Sequence, residues 1–180
     1  MQPLIPPFIS ERFAAGEFSG DFPAVGMFVD ISGFSAMTNA LMAHGQEGAE
    51  ILANIMRTVF DPIVESVYGQ GGFVASFAGD AITALFPIGE PAASTNLHAL
   101  AAAWQIQEHM RAHSEYPSVS QVFKVSAKIG LAAGQVHWGI ILDENSRAGV
   151  YFFQGSAVDR CTDAERPNLW PESRGACRMR

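Results

Sequence analysis

Apolar positions along this 180-residue chain keep two rhythms, and the switches between them predict its elements. Ala24–Val29 is a continuous apolar run, as expected of a strand buried on both faces. Gly33–Ala43 suits a short helix. From Glu47 to Tyr68, Ile51, Leu52, Ile55, Met56, Val59, Phe60, Ile63, Val64 and Val67 recur at intervals of three and four, the helical repeat. Pro62 falls inside that helix and removes one backbone donor. Gly69–Gly72 ends it, and Phe73–Phe77 and Ala81–Phe86 read as two strands joined tightly through Ala78, Gly79 and Asp80. Ser94–His113 is an alanine-rich helix with Ser94 or Thr95 as its expected cap. Val122–Ala133 and Gln135–Leu142 read as strands meeting near Gly134, Gly149–Phe153 as another, and Gly155–Glu165 as a last helix.

That order, strand, helices, hairpin, helix, strands, predicts an α/β (α+β) domain over residues 24–165. Its core would be ferredoxin-like, βαββαβ, a mainly antiparallel sheet with flanking helices. Residues 1–23 hold four prolines and read as an irregular lead-in. Residues 166–180 lose all periodicity and read as a divergent or disordered basic tail.

Composition narrows the function. Hydrophobic residues make up 48% and charged residues 16%, which fits one domain with a real core. The net charge of −7 is uneven: residues 166–180 carry four of the 11 basic side chains and one of the 18 acidic ones, so the body is more acidic still. Such a body repels polyanions, which argues against nucleic-acid binding. No apolar run approaches the ~20 residues that span a bilayer, and two cysteines, Cys161 and Cys177, make no disulfide framework. A cytoplasmic protein with no membrane partner is the expectation.

Candidate chemistry sits at two strand ends. Asp30 closes the run Phe28-Val29-Asp30, and Asp80 sits at the tip of the predicted hairpin. Taken singly, each has a plain structural reading: Asp30 caps the next helix, and Asp80 suits a Gly-Asp turn. Taken together, on strands that the topology makes neighbours, they form the carboxylate pair that hard divalent cations need for phosphoryl transfer. Behind Asp30, Ile31-Ser32-Gly33-Phe34-Ser35 brings backbone N–H groups to a helix start, a natural seat for phosphate oxygens. Two weaker patterns complete the set. His109 and His113 have a zinc-compatible spacing with no third ligand, and Met27, Met37, Met42 and Met56 read as core filling.

Phe28-Val-Asp-Ile-Ser-Gly-Phe34, Gly48-Ala-Glu50, Phe77-Ala-Gly-Asp-Ala81 and Lys128-Ile-Gly-Leu-Ala-Ala-Gly134, in that order, closely resemble the class III adenylyl/guanylyl cyclase catalytic domain. The likeness is strongest to the first cyclase domain of soluble, bicarbonate-responsive adenylyl cyclases and their bacterial relatives, and covers roughly residues 4–165. The resemblance implies two Mg²⁺ or Mn²⁺ ions on Asp30, Asp80 and the Ile31 carbonyl, with Ser32, Gly33, Phe34 and Ser35 on the nucleotide phosphates. It implies ATP, rather than GTP, as substrate, and cyclic AMP and pyrophosphate as products. It also implies a second cyclase domain as partner, expected on the same native polypeptide.

Four positions depart from that family. Its base-reading lysine falls at Ser76, and the polar partner of that lysine at Phe152. Its transition-state asparagine falls at Asp159, and the arginine at Thr162 or Asp163. The lysine and arginine positions also hold bicarbonate in the responsive relatives, and Ser76 and Thr162 do not carry those groups; Arg160 is nearby, with a solvated surface arginine as its plainer reading. The chain resembles the metal-donating half of a cyclase, an enzyme of the adenylate cyclase type that is inactive as an isolated domain. The alternative is a non-catalytic, cyclase-like module for nucleotide binding or regulatory dimerisation.

Overall fold

The computed structural model describes residues 5–117, 122–143, 149–165 and 177–179. Helix α1 (Pro7–Ala14) leads into strand β1 (Ser19–Ser32), then α2 (Phe34–Met42), α3 (Gly45–Gly69) and the hairpin of β2 (Phe73–Ala78) and β3 (Ala81–Pro87). There follow α4 (Ala92–Ala112), a small pair β4 (Glu115–Pro117) and β5 (Val122–Lys124), the long β6 (Ser126–Leu142), β7 (Gly149–Gln154), α5 (Ser156–Glu165) and β8 (Cys177–Met179). The main sheet runs β2-β3-β1-β6-β7, with β8 also paired to β6. Each of these pairings is antiparallel, as the ferredoxin-like reading requires.

Alternation along β1 divides the molecule into two layers. Val25, Met27, Val29 and Ile31 point to one face and pack with Ile55, Val59 and Ile63 of α3 and Ala99, Ala103 and Ile106 of α4. Ala24 points to the other face, with Leu85, Val136 and Ala157 of α5. Asp30 belongs to this second face by register. Phe8 of α1 helps close it, stacked on Phe73 at a ring separation of 5.3 Å and edge-on to Trp138 at 5.4 Å.

The proline in α3 is tolerated for a visible reason. Pro62 cannot donate to the carbonyl of Thr58, four residues back, and that carbonyl instead accepts from His109 Nε2 on α4 at 3.1 Å. The bond sets the tautomer of His109, because only an N–H can serve a carbonyl.

Several expectations need correction. Residues 7–14 are helical and β1 begins at Ser19, so much of the lead-in is regular structure. Val122–Leu142 is a short β5 followed by a single β6 that runs through Gly134. Helix α4 starts at Ala92 without a side-chain cap from Ser94 or Thr95. Met27 and Met37 are core residues, whereas Met42 and Met56 are exposed. Most of the expected tail, residues 166–176 and 180, lies outside the described residues.

Candidate functional site

Strand β1 delivers Asp30 to the end of the sheet, where it is in register with Ala81 on β3 and with Lys128 on β6. Asp80 directly precedes Ala81 at the β2–β3 turn, which Gly79 closes at φ +66°. Asp80 thus stands one residue before the partner of Asp30 in the β1–β3 pairing. Both are half-buried. The register therefore brings the two sequence-predicted carboxylates to one end of the sheet, from opposite sides of a single strand pairing.

Each carboxylate already has a donor. Ser35 Oγ donates to Asp80 Oδ2 at 2.7 Å, tying the first turn of α2 to the hairpin tip. Lys128 Nζ lies 3.7 Å from Asp30 Oδ2 and 3.6 Å from Glu165 Oε1, the last residue of α5. In the sequence Lys128 falls within a motif and Glu165 ends the last predicted helix, and neither carries a role there. The available signal was strand register, which sets a lysine opposite a strand-ending aspartate.

Between these groups the chain turns at Gly33, with φ +89°. A Cβ there would fall 2.3 Å from the Lys124 carbonyl oxygen, so only glycine lets the loop lie against β5. The turn opens α2, whose first-turn N–H groups have no side-chain cap. Phe34 is buried against Phe60 of α3, ring centroids 5.4 Å apart, which pins the start of α2 while Ser35 stays exposed. Ser32 Oγ is buried with no partner. Ile31 is fully buried on the opposite face of β1.

The side chains present suit hard cations: two carboxylates and a hydroxyl are oxygen donors, and an ammonium already stands as a cation beside Asp30. Among the described residues no group of three or more His, Cys, Asp or Glu side chains gathers as a metal cluster.

The positions that depart from the family lie elsewhere. Ser76 and Thr83 from the hairpin, Tyr151, Phe152 and Phe153 from β7, and Val158 from α5 line a cavity of about 370 Å³, with no charged side chain in its wall among the described residues. Burial, with Tyr68 nearby, pushes the Tyr151 hydroxyl above its ordinary value and keeps it neutral. Thr162 shares the helical face of Val158 and donates to its carbonyl at 3.0 Å. Asp159 is exposed. Arg160 donates to the Ala133 carbonyl on β6 at 3.0 Å and is not among the residues that line this cavity. His109 and His113 stack at 4.3 Å, but His109 Nε2 is committed to Thr58, and the pair has a structural role.

Comparison with known proteins adds the following. The chain is 35% identical over 174 residues to adenylate cyclase type 10 of Rattus norvegicus, a match that covers 86% of this chain and 10% of that protein. It thus spans about a tenth of the length of the curated relatives it matches. A bacterial light-regulated adenylyl cyclase superposes with a TM-score of 0.66 at 15% identity, over 89% of this chain and 46% of the other. The adenylyl cyclase CyaB from P. aeruginosa gives 0.61 at 18% identity, over 82% and 72%. At these identities the structures establish a common fold. No protein-family model matches the chain.

Proposed function

We propose that this chain, which belongs to the class III nucleotidyl cyclases by its homology to adenylate cyclase type 10, is the metal-donating half of a two-domain adenylyl cyclase. One observation carries the reading: the sheet register brings Asp30 and Asp80 together beside an uncapped helix start. Asp30, Asp80 and the Ile31 carbonyl are the proposed ligands of two Mg²⁺ or Mn²⁺ ions. Such ions, when bound, offset phosphate charge and make the ribose 3′-hydroxyl a better nucleophile towards the α-phosphate, with pyrophosphate leaving.

The chain's own residues do the positioning. The N–H groups of α2's first turn, held by Phe34, face the β- and γ-phosphates; Gly33 sets their direction. Ser35 and Lys128, each on a carboxylate in the free domain, supply further donors to phosphate oxygens. ATP is favoured over GTP by the likeness to adenylate cyclase type 10, since Ser76 and Phe152 leave no base-reading group to consult. A cytoplasmic location is part of this proposal.

A complementary cyclase domain, on the same native polypeptide, completes the site. Exposed Phe77 and Phe152 beside the cavity offer it an apolar surface. The uncharged cavity also favours a second reading, a non-catalytic nucleotide-binding or dimerisation module. Mixing decides between them. The chain alone is expected to be inactive with Mn²⁺ and ATP, and to form cyclic AMP once a cyclase domain carrying the lysine, asparagine and arginine is added. Turnover by the pure chain, or none in any such mixture, would reject the half-site reading.

A further inference from the structure

Lys128 is shared between two carboxylates of unequal exposure. The side chain of Asp30 is 30% exposed and that of Glu165 only 11%, with the ammonium 3.7 and 3.6 Å from them. The closeness of Glu165 is built into the fold. A Cβ on Gly130, two residues along β6 from Lys128 and on the same face, would lie 2.1 Å from the Cys161 carbonyl oxygen and 2.8 Å from the Glu165 nitrogen. Glycine there lets the end of α5 rest directly on the strand, and buried Cys161 and Ala164 hold it down. The least solvated carboxylate of the group is thus fixed beside the lysine.

An ammonium at Asp30 competes with any cation that Asp30 is to hold. We propose that Glu165 is a positioning residue for the cation site: it receives the Lys128 ammonium when Asp30 engages a divalent ion, and holds it at the site's edge, ready for a phosphate. The proposal rests on Asp30 being a cation ligand. Without Glu165 the lysine has Asp30 as its sole anionic partner among those two, and a cation must displace the ammonium into solvent. With Glu165 the ammonium moves between two acceptors already within salt-bridge distance.

Two readouts on the full chain test this, neither of them catalytic. In calorimetry with Mn²⁺ alone, Glu165→Gln is expected to weaken binding several-fold and Glu165→Asp to fall between it and the wild type. In NMR of the lysine ammonium groups, Mg²⁺ is expected to shift the Lys128 signal while it stays protected from exchange in the wild type. The same addition is expected to broaden it away in Glu165→Gln. In Asp30→Asn, Mg²⁺ should leave the Lys128 signal unchanged. Equal Mn²⁺ affinity in the wild type and Glu165→Gln, or equal protection of Lys128 in both, would overturn the role of Glu165 and leave Asp30 as a ligand. A Mg²⁺ shift that persists in Asp30→Asn would overturn the assignment of Asp30, and this proposal with it.

Discussion

Replacing Gly33 by alanine probes the phosphate loop at its tightest point. Two costs can be worked out separately. At φ +89° a side chain meets left-handed backbone strain of roughly 1–2 kcal/mol. The new Cβ would also stand 2.3 Å from a backbone oxygen, that of Lys124. Relief requires β5 and the loop to part by about 1 Å, an overpacking cost of roughly 1–3 kcal/mol. The sum, about 2–5 kcal/mol, lowers the melting temperature by roughly 4–20 °C for a domain of this size. Gly16→Ala is the control, because Gly16 has φ +75° with nothing within 4 Å of its Cβ, so only the strain applies. It should cost about 1–2 kcal/mol, or roughly 2–8 °C. Parallel thermal scans of the two variants, with ATP titration in Mn²⁺, read both stability and the loop's N–H donors. Gly33→Ala should be the less stable of the two and at least about tenfold weaker for ATP, as expected when several charge-assisted bonds are misaligned. Equal melting points would show that the loop does not lie against Lys124.

Three further outcomes are expected. Ser35→Ala should weaken Mn²⁺–ATP binding less than Asp80→Ala, since it removes a donor and leaves the carboxylate, while Ser76→Ala should leave it unchanged; calorimetry reads all three. His109→Ala should cost about 0.5–1.5 kcal/mol in urea denaturation by removing its bond to the Thr58 carbonyl, and the cost should shrink in a Pro62→Ala background, where a helical N–H takes that carbonyl. Burial pushes the Cys161 thiol from 9.0 up to about 12, so the folded chain holds that proton more tightly than the unfolded one. Its contribution to stability is complete below pH 9 and is lost as pH rises towards 12, by up to about 1.4 kcal/mol per pH unit. Cys161→Ala should flatten that slope in denaturation series above pH 9.

The hairpin and the two long helices were legible because each depends on a local pattern, apolar runs that end in a polar residue and a three-four repeat, and Asp30 and Asp80 stood out as the polar residues that end such runs. What escaped depends on close approach between distant segments. Gly134 resembles a strand break, yet its missing Cβ makes room for the Ala157 nitrogen of α5, 2.6 Å from where that Cβ would be, and β6 continues through it. Lys128 gains meaning only from the register that sets it against Asp30, and Glu165 only from the glycine that seats α5. Met42 and Met56 fit the helical repeat but stand on faces that no element covers among the described residues.

The central claim, that this chain donates the metal half of a nucleotide site, is tested most directly by calorimetric titration of ATP into the full chain. The titration is run with Mn²⁺ and with EDTA, for the wild type, Asp30→Ala and Asp80→Ala. Binding is expected only in the wild type with Mn²⁺, because an acidic body gives the triphosphate little else to hold. Equal affinity in EDTA, or undiminished binding by either variant, would contradict the claim.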